Sequence, residues 1–187
     1  MNKVERAYYD NGQIWHEVYW VNMKLHREDG PAFIEYRENG TIQHEEYLLN
    51  GKCHRENGPA ELWYYESGKI SRERYFQNNT WYRENGPADI RYHESGKISS
   101  ERYFINNQLH REDGPAVIEY YNNGEIHCEE YFINGKAHRE NGPAYISYYR
   151  EIKYYYKNGI DEEYYYINGE EITDEFQIMV IKGLGIK

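Results

Sequence analysis

The feature that most constrains this chain is a seven-residue string that recurs five times at a fixed step. HREDGPA begins at His26, HRENGPA at His54, YRENGPA at Tyr82, HREDGPA at His110 and HRENGPA at His138, each 28 residues after the last. Gly12, Gly40, Gly68, Gly96 and Gly124 keep the same step, each preceded by asparagine or serine and followed two positions on by isoleucine. Units this short cannot bury an apolar side alone, so they must stack on their neighbours. Matching side chains then form rows and do not gather at one centre.

Within a repeat the pattern has period two. Ala32, Ile34 and Tyr36 recur as Ala60, Leu62, Tyr64, then Ala88, Ile90, Tyr92, then Ala116, Ile118, Tyr120, then Ala144, Ile146, Tyr148, while the residues between them vary. Such alternation marks a strand with one packed face. An Asn-Gly or Ser-Gly pair follows and supplies the positive backbone angles of a tight hairpin. The returning strand carries Ile42 and Glu45, Ile70 and Glu73, Ile98 and Glu101, Ile126 and Glu129. An odd step of three lets both share a face only if one residue bulges out between them. A second turn at Asn50-Gly51, Asn78-Asn79, Asn106-Asn107 or Asn134-Gly135 leads into the HREDGPA string, whose Gly-Pro favours extended backbone.

The expectation is an all-β fold, an elongated antiparallel meander with two strands per 28-residue repeat. Residues 1–25 read as an N-terminal half repeat or cap. Residues 26–165 form five repeats, the fifth degenerate because seven residues are inserted between Pro143 and Gly159. Residues 166–187, with the apolar run FQIMVIKGLGIK, read as a C-terminal cap.

Composition narrows the function classes. The chain has 17% aromatic residues, 23 of them tyrosines, and a formal net charge of -10. That aromatic content argues against disorder. The negative charge repels nucleic acid and anionic lipid, so no nucleic-acid partner is expected. No stretch reaches the roughly 18 apolar residues of a membrane helix, and the first ten residues lack a signal-peptide core. Cys53 and Cys128 occupy unrelated repeat positions and read as free thiols. A cytoplasmic protein is expected, in the host cytoplasm if the source is viral.

The tandem of strand, Asn-Gly, strand, Asn-Gly and Gly-containing link resembles MORN repeats, particularly the variant form of bacterial proteins labelled antitoxin components. The longer HREDGPA or HRENGPA link is similar to multi-copy repeat proteins of giant viruses and phages. The resemblance spans about Ala7 to Gly169. It implies twisted antiparallel sheets that serve protein interaction and assembly, with lipid binding proposed for some members.

The rows also carry residues capable of chemistry. His26, His54, His110 and His138 stand beside Arg27, Arg55, Arg83, Arg111 and Arg139. Two strands per repeat separate equivalent residues by roughly 10 Å, whereas zinc ligands lie about 2 Å from their ion. The row therefore points away from metal, and no cofactor is expected. The arginines, with Glu45, Glu73, Glu101 and Glu129, read as a structural ladder of ion pairs and hydrogen bonds, because guanidinium suits carboxylates and turn carbonyls. No unique acid pair, phosphate loop or nucleophile elbow is present, so the chain is not expected to be an enzyme.

The varying face carries residue types enriched at interfaces. Phe33, Trp63, Tyr65, Arg91, His93, Tyr121 and Tyr145 are the candidate partner-binding residues. Non-enzymatic display of a rigid β surface to a protein partner is the leading expectation. The alternatives are an antitoxin-like or host-defence antagonist acting by occlusion, or a sponge for a small anionic ligand. Exposed strand edges also allow homodimerisation.

Overall fold

The computed structural model describes residues 2–140 and 144–148 in full, and the strand backbone of 149, 152–156, 163–167 and 170–172. Every regular element among them is a strand. Two units are present, Met1–Gln108 and Leu109–Lys187. In the first, Asn2–Tyr8, Ile14–Val21, Phe33–Tyr36, Ile42–Glu46, Glu61–Tyr64, Ile70–Arg74, Asp89–Tyr92 and Ile98–Arg102 lie side by side in chain order. In the second, Val117–Tyr120, Ile126–Glu130, Tyr145–Tyr149, Ile152–Tyr156, Glu163–Ile167 and Glu170–Ile172 do the same. Each paired neighbour is antiparallel. The expected all-β meander, with two long strands per repeat, is what forms.

The bulge falls where the odd spacing requires it. Tyr36 opposes Ile42 and Glu35 opposes His44, leaving Gln43 unpaired. Ser71, Ser99 and His127 are the extra residues in the following repeats, and Trp15 is the extra residue in the first. Ile42 and Glu45 thereby share a face. The segment expected as a half repeat thus supplies a complete strand pair, because Tyr8 and Ile14 keep the same register as later copies.

The two kinds of turn differ. After the first strand of a repeat, Gly40 N donates to Arg37 O and Arg37 N to Thr41 O, both at 2.8 Å. This is a three-residue loop with a positive φ at Gly40 alone (81°), so the expected pair of positive angles reduces to the glycine. The residue before it serves differently: Asn39 Oδ1 accepts Thr41 N at 3.0 Å and Asn11 Oδ1 accepts Gln13 N at 2.9 Å. The second turn is a true two-residue hairpin, with φ of 53° at Asn50 and 79° at Gly51. It closes a short ribbon, Leu48–Leu49 with Lys52–Cys53, that leaves the main sheet. Phe76–Gln77 with Thr80–Trp81 and Phe132–Ile133 with Lys136–Ala137 repeat it. Ribbons of two residues per side are too short to show alternation, which is why the sequence reveals only the turn.

The core is one residue deep. Ala32, Ala60, Ala88, Ala116 and Ala144 are at most 4% exposed, and Ile34, Leu62, Ile90, Ile118 and Ile146 at most 8%. Across the first unit these apolar residues alternate with glutamates, Glu17 opposite Ile34, Ile34 opposite Glu45, Glu45 opposite Leu62, and Leu62 opposite Glu73. Strands 163–167 and 170–172 cover part of the expected C-terminal cap, and residues 173–187 lie outside the described residues.

Candidate functional site

The repeated face is a hydrogen-bonded roof over that alternating row. Tyr64 donates its hydroxyl to Glu45 at 2.6 Å, Tyr92 to Glu73 at 3.1 Å and Tyr148 to Glu129 at 2.9 Å. Tyr75 and Tyr131 also donate to Glu73 and Glu129. Burial and the glutamate's charge together push the Tyr75 phenol up to about 12. Over the tyrosines lie the arginines of the HREDGPA string. Arg27 stacks on Tyr19 at 4.1 Å, Arg55 on Tyr47 at 3.8 Å, Arg83 on Tyr75 at 4.1 Å and Arg139 on Tyr131 at 3.9 Å. Arg27, Arg55, Arg83 and Arg111 donate to the carbonyls of Pro31, Pro59, Pro87 and Pro115. Gly30 and Gly114 leave room for this fold-back, since an added Cβ would stand 2.9 Å and 3.2 Å from the Arg27 and Arg111 guanidinium carbons.

The ladder arginines take turn carbonyls and carboxylates, but the carboxylates are not those of the Glu45 series. Arg27 and Arg111 pair with Asp29 and Asp113, both at short range and exposed. The Glu45 series takes tyrosine hydroxyls. The histidines act on the hairpins: His26 Nδ1 accepts Asn50 N at 3.0 Å and His110 Nδ1 accepts Asn134 N at 3.1 Å. Each thereby fastens a ribbon to the string that precedes it.

The other face of the Met1–Gln108 unit changes from strand to strand. Its rings form a file: Trp15 and His16 centroids are 4.7 Å apart, His16 and Phe33 6.0 Å, Phe33 and His44 5.9 Å, His44 and Trp63 4.3 Å with the last pair stacked. His44 is buried, and burial with the Arg74 charge lowers its pKa to about 4. The file then meets arginine, with Arg74 4.6 Å and Arg72 5.5 Å from the Trp63 ring. Asp89, 3% exposed, receives the Arg72 fork at 2.7 and 2.8 Å. Arg74 pairs with Glu61 at 3.1 Å.

One cluster gathers ligand-type atoms. Glu46, Cys53 and Glu61 offer donors within 4.8 Å of one another. Burial first, then Glu61, pushes the Cys53 thiol up to about 12, and the thiol donates to Glu61 at 3.4 Å. The sequence suggested no partner for Cys53. A protonated thiol beside an Arg-paired carboxylate is a hydrogen-bond donor, and a metal would have to displace both its proton and Arg74.

The candidate partner residues separate on inspection. Phe33 and Trp63 lie in the ring file, and Arg91 is exposed at its arginine end. Tyr65 and Tyr121 sit at the first turns and donate to the carbonyls of Tyr92 at 2.6 Å and Tyr148 at 2.7 Å, joining one repeat to the next. His93 begins the turn closed by its own N–H to Lys97 O at 2.8 Å. Tyr145, in the second unit, is half-buried against Cys128 and pushed up to about 12. The residues that sequence reading passed over are His16, His44, Arg72, Arg74 and Ser100. They pair across strands of different copies, His44 beside Trp63 and Arg72 beside Arg91, a register that the long link between copies leaves open.

The model of the family described as MORN repeat variant matches residues 1–22, 60–78 and 90–106. The first two segments contain the strand pairs Asn2–Tyr8 with Ile14–Val21 and Glu61–Tyr64 with Ile70–Arg74, bulges included. No curated protein matches the chain. MORN repeats are non-catalytic modules that bind proteins or membranes, and no helix among the described residues is long and apolar enough to cross a membrane. In those three segments the chain is similar to MORN repeat variants.

Proposed function

We propose that this protein is a non-enzymatic interaction module whose varying face in the Met1–Gln108 unit docks another protein. The observation that carries the reading is the ring file from Trp15 to Trp63 ending at Arg72 and Arg74. The constant face spends its tyrosines and arginines on its own roof, and the varying face holds aromatic and arginine side chains in a half-buried, preordered array. Such residues dominate protein interfaces because they lose little conformational freedom on docking. The edge strand Asn2–Tyr8 is a poorer surface, because Lys3, Glu5 and Arg6 discourage strand addition. Free Cys53 and Cys128 suit a reducing compartment, which supports a cytoplasmic setting.

The test is capture of a partner on the immobilised chain from native extract, followed by affinity measurement with Trp63→Ala. Loss of that ring is expected to weaken binding by about 2 kcal/mol, roughly 30-fold. A folded Trp63→Ala protein that binds its partner as tightly as wild type removes the reading.

A further inference from the structure

Arg72 and Arg91 stand directly opposite each other on neighbouring strands. Like charges in that position destabilise a sheet. In the adjoining row Asp89 lies between Arg74 and Arg102, so four guanidiniums surround one buried carboxylate. Asp89 is occupied by Arg72 and approached by Arg102 at 3.6 Å, and Arg74 is held by Glu61. Arg91 is exposed and forms no ion pair among the described residues. Burial of its stem, then Arg72 and Arg102, push its pKa down, with Asp89 opposing. Across the next strand Arg91 faces Ser100, which is 6% exposed and whose hydroxyl has no hydrogen-bond partner. Nothing in the repeat framework requires these residues: the equivalents of Arg91 are Glu35, Trp63, Glu119 and Ser147, and those of Arg72 are His44, Ser100 and Cys128.

A guanidinium that forms no ion pair and a buried hydroxyl without a partner stand side by side there and make a candidate carboxylate site. We propose that Arg91 and Ser100, backed by Arg72, bind the side-chain carboxylate of an aspartate or glutamate on a protein partner. This rests on the docking reading above and names the chemistry of what docks. A planar fork matches a carboxylate, and the ring file beside it would receive apolar residues flanking that acid. The chain's net charge of -10 repels polyanions in general, so recognition here requires the local cluster.

The test titrates fluorescein-labelled hexaglutamate with the full chain and follows anisotropy, with hexalysine, sodium acetate and inorganic phosphate as comparison probes. Saturable hexaglutamate binding is expected. Arg91→Met is expected to weaken it about tenfold, with Arg91→Lys intermediate and Ser100→Ala weaker than wild type. Lys24→Met removes the same charge from an exposed site elsewhere and is expected to leave binding unchanged. Arg91→Met relieves like-charge repulsion, so its thermal midpoint should hold or rise, and lost binding cannot then come from unfolding. Absence of saturable binding, equal weakening by Lys24→Met, or tighter binding of phosphate than of hexaglutamate overturns the proposal. If hexaglutamate fails while Trp63→Ala still abolishes partner capture, the carboxylate site falls and the docking face stands. If hexaglutamate binds at Arg91 while Trp63→Ala leaves capture intact, the docking reading falls instead.

Discussion

At the residue scale, what each repeat conserves is a set of reciprocal fits. An arginine folded over a glycine, stacked on a tyrosine and bonded to a proline carbonyl explains why R, G and P travel together in the string. Arg83 shows the arrangement, 4.1 Å from the Tyr75 ring centroid and 3.2 Å from Pro87 O. Arg83→Met keeps the apolar stem and loses both contacts, so stability should fall by about 1–3 kcal/mol. Amide exchange at Ala88 should quicken with it; unchanged exchange and melting would show the guanidinium to be dispensable. Met23 is the opposite case. It sits at the second position of a two-residue turn with φ of 61° and is 93% exposed, where later copies use Gly51, Asn79, Asn107 and Gly135. A left-handed conformation costs an ordinary side chain about 1–2 kcal/mol. Met23→Gly should therefore stabilise the protein by about 1 kcal/mol in chemical denaturation, because no buried contact is lost.

At the element scale, the bulge sets which face each side chain meets. Ser71 is unpaired between Ile70, opposite Tyr64, and Arg72, opposite Trp63. Removing it would turn Ile70 onto the ring-file face or drag Arg72 and Glu73 out of register. Deletion of Ser71 is expected to lower the thermal midpoint sharply, whereas Ser71→Ala, which keeps the count, should leave it nearly unchanged. Equal behaviour of the two variants would mean that the extra residue has no role in register. The bulge was legible because isoleucine and glutamate at an odd step cannot otherwise share a face. The ribbons Leu48–Cys53 and Phe76–Trp81 were not, since two residues on each side of a turn carry no period.

For the molecule as a whole, tyrosine hydroxyls and half-buried rings brace the sheet within each unit, and this makes stability depend on pH at both ends. Tyr75 ionises near 12 in the fold against 10.0 unperturbed, and Tyr64 and Tyr92 are pushed up as well. The unfolded chain loses those protons first, so their stabilisation is complete below pH 10 and disappears as pH rises toward 12. His44 runs the other way, from 6.5 down to about 4. The unfolded chain takes up that proton first, so stability falls as pH drops from 6.5 toward 4. Thermal melts should show a plateau between these windows, and His44→Phe should flatten the acid limb. An acid limb unchanged by that substitution would assign the loss to other groups.

From sequence alone, the 28-residue step, the period-two alternation and the odd isoleucine-to-glutamate spacing determined an antiparallel meander with a bulge in each copy. These are local constraints, repeated often enough to leave one solution. Phe33, Trp63 and Arg91 were visible as variable, interface-type residues for the same reason. Their neighbours were decided only by tertiary pairing: His44 against Trp63, Asp89 inside four arginines, Ser100 beside Arg91. Each of those contacts joins residues from different strands, and strand register, which no single segment encodes, brings them within reach.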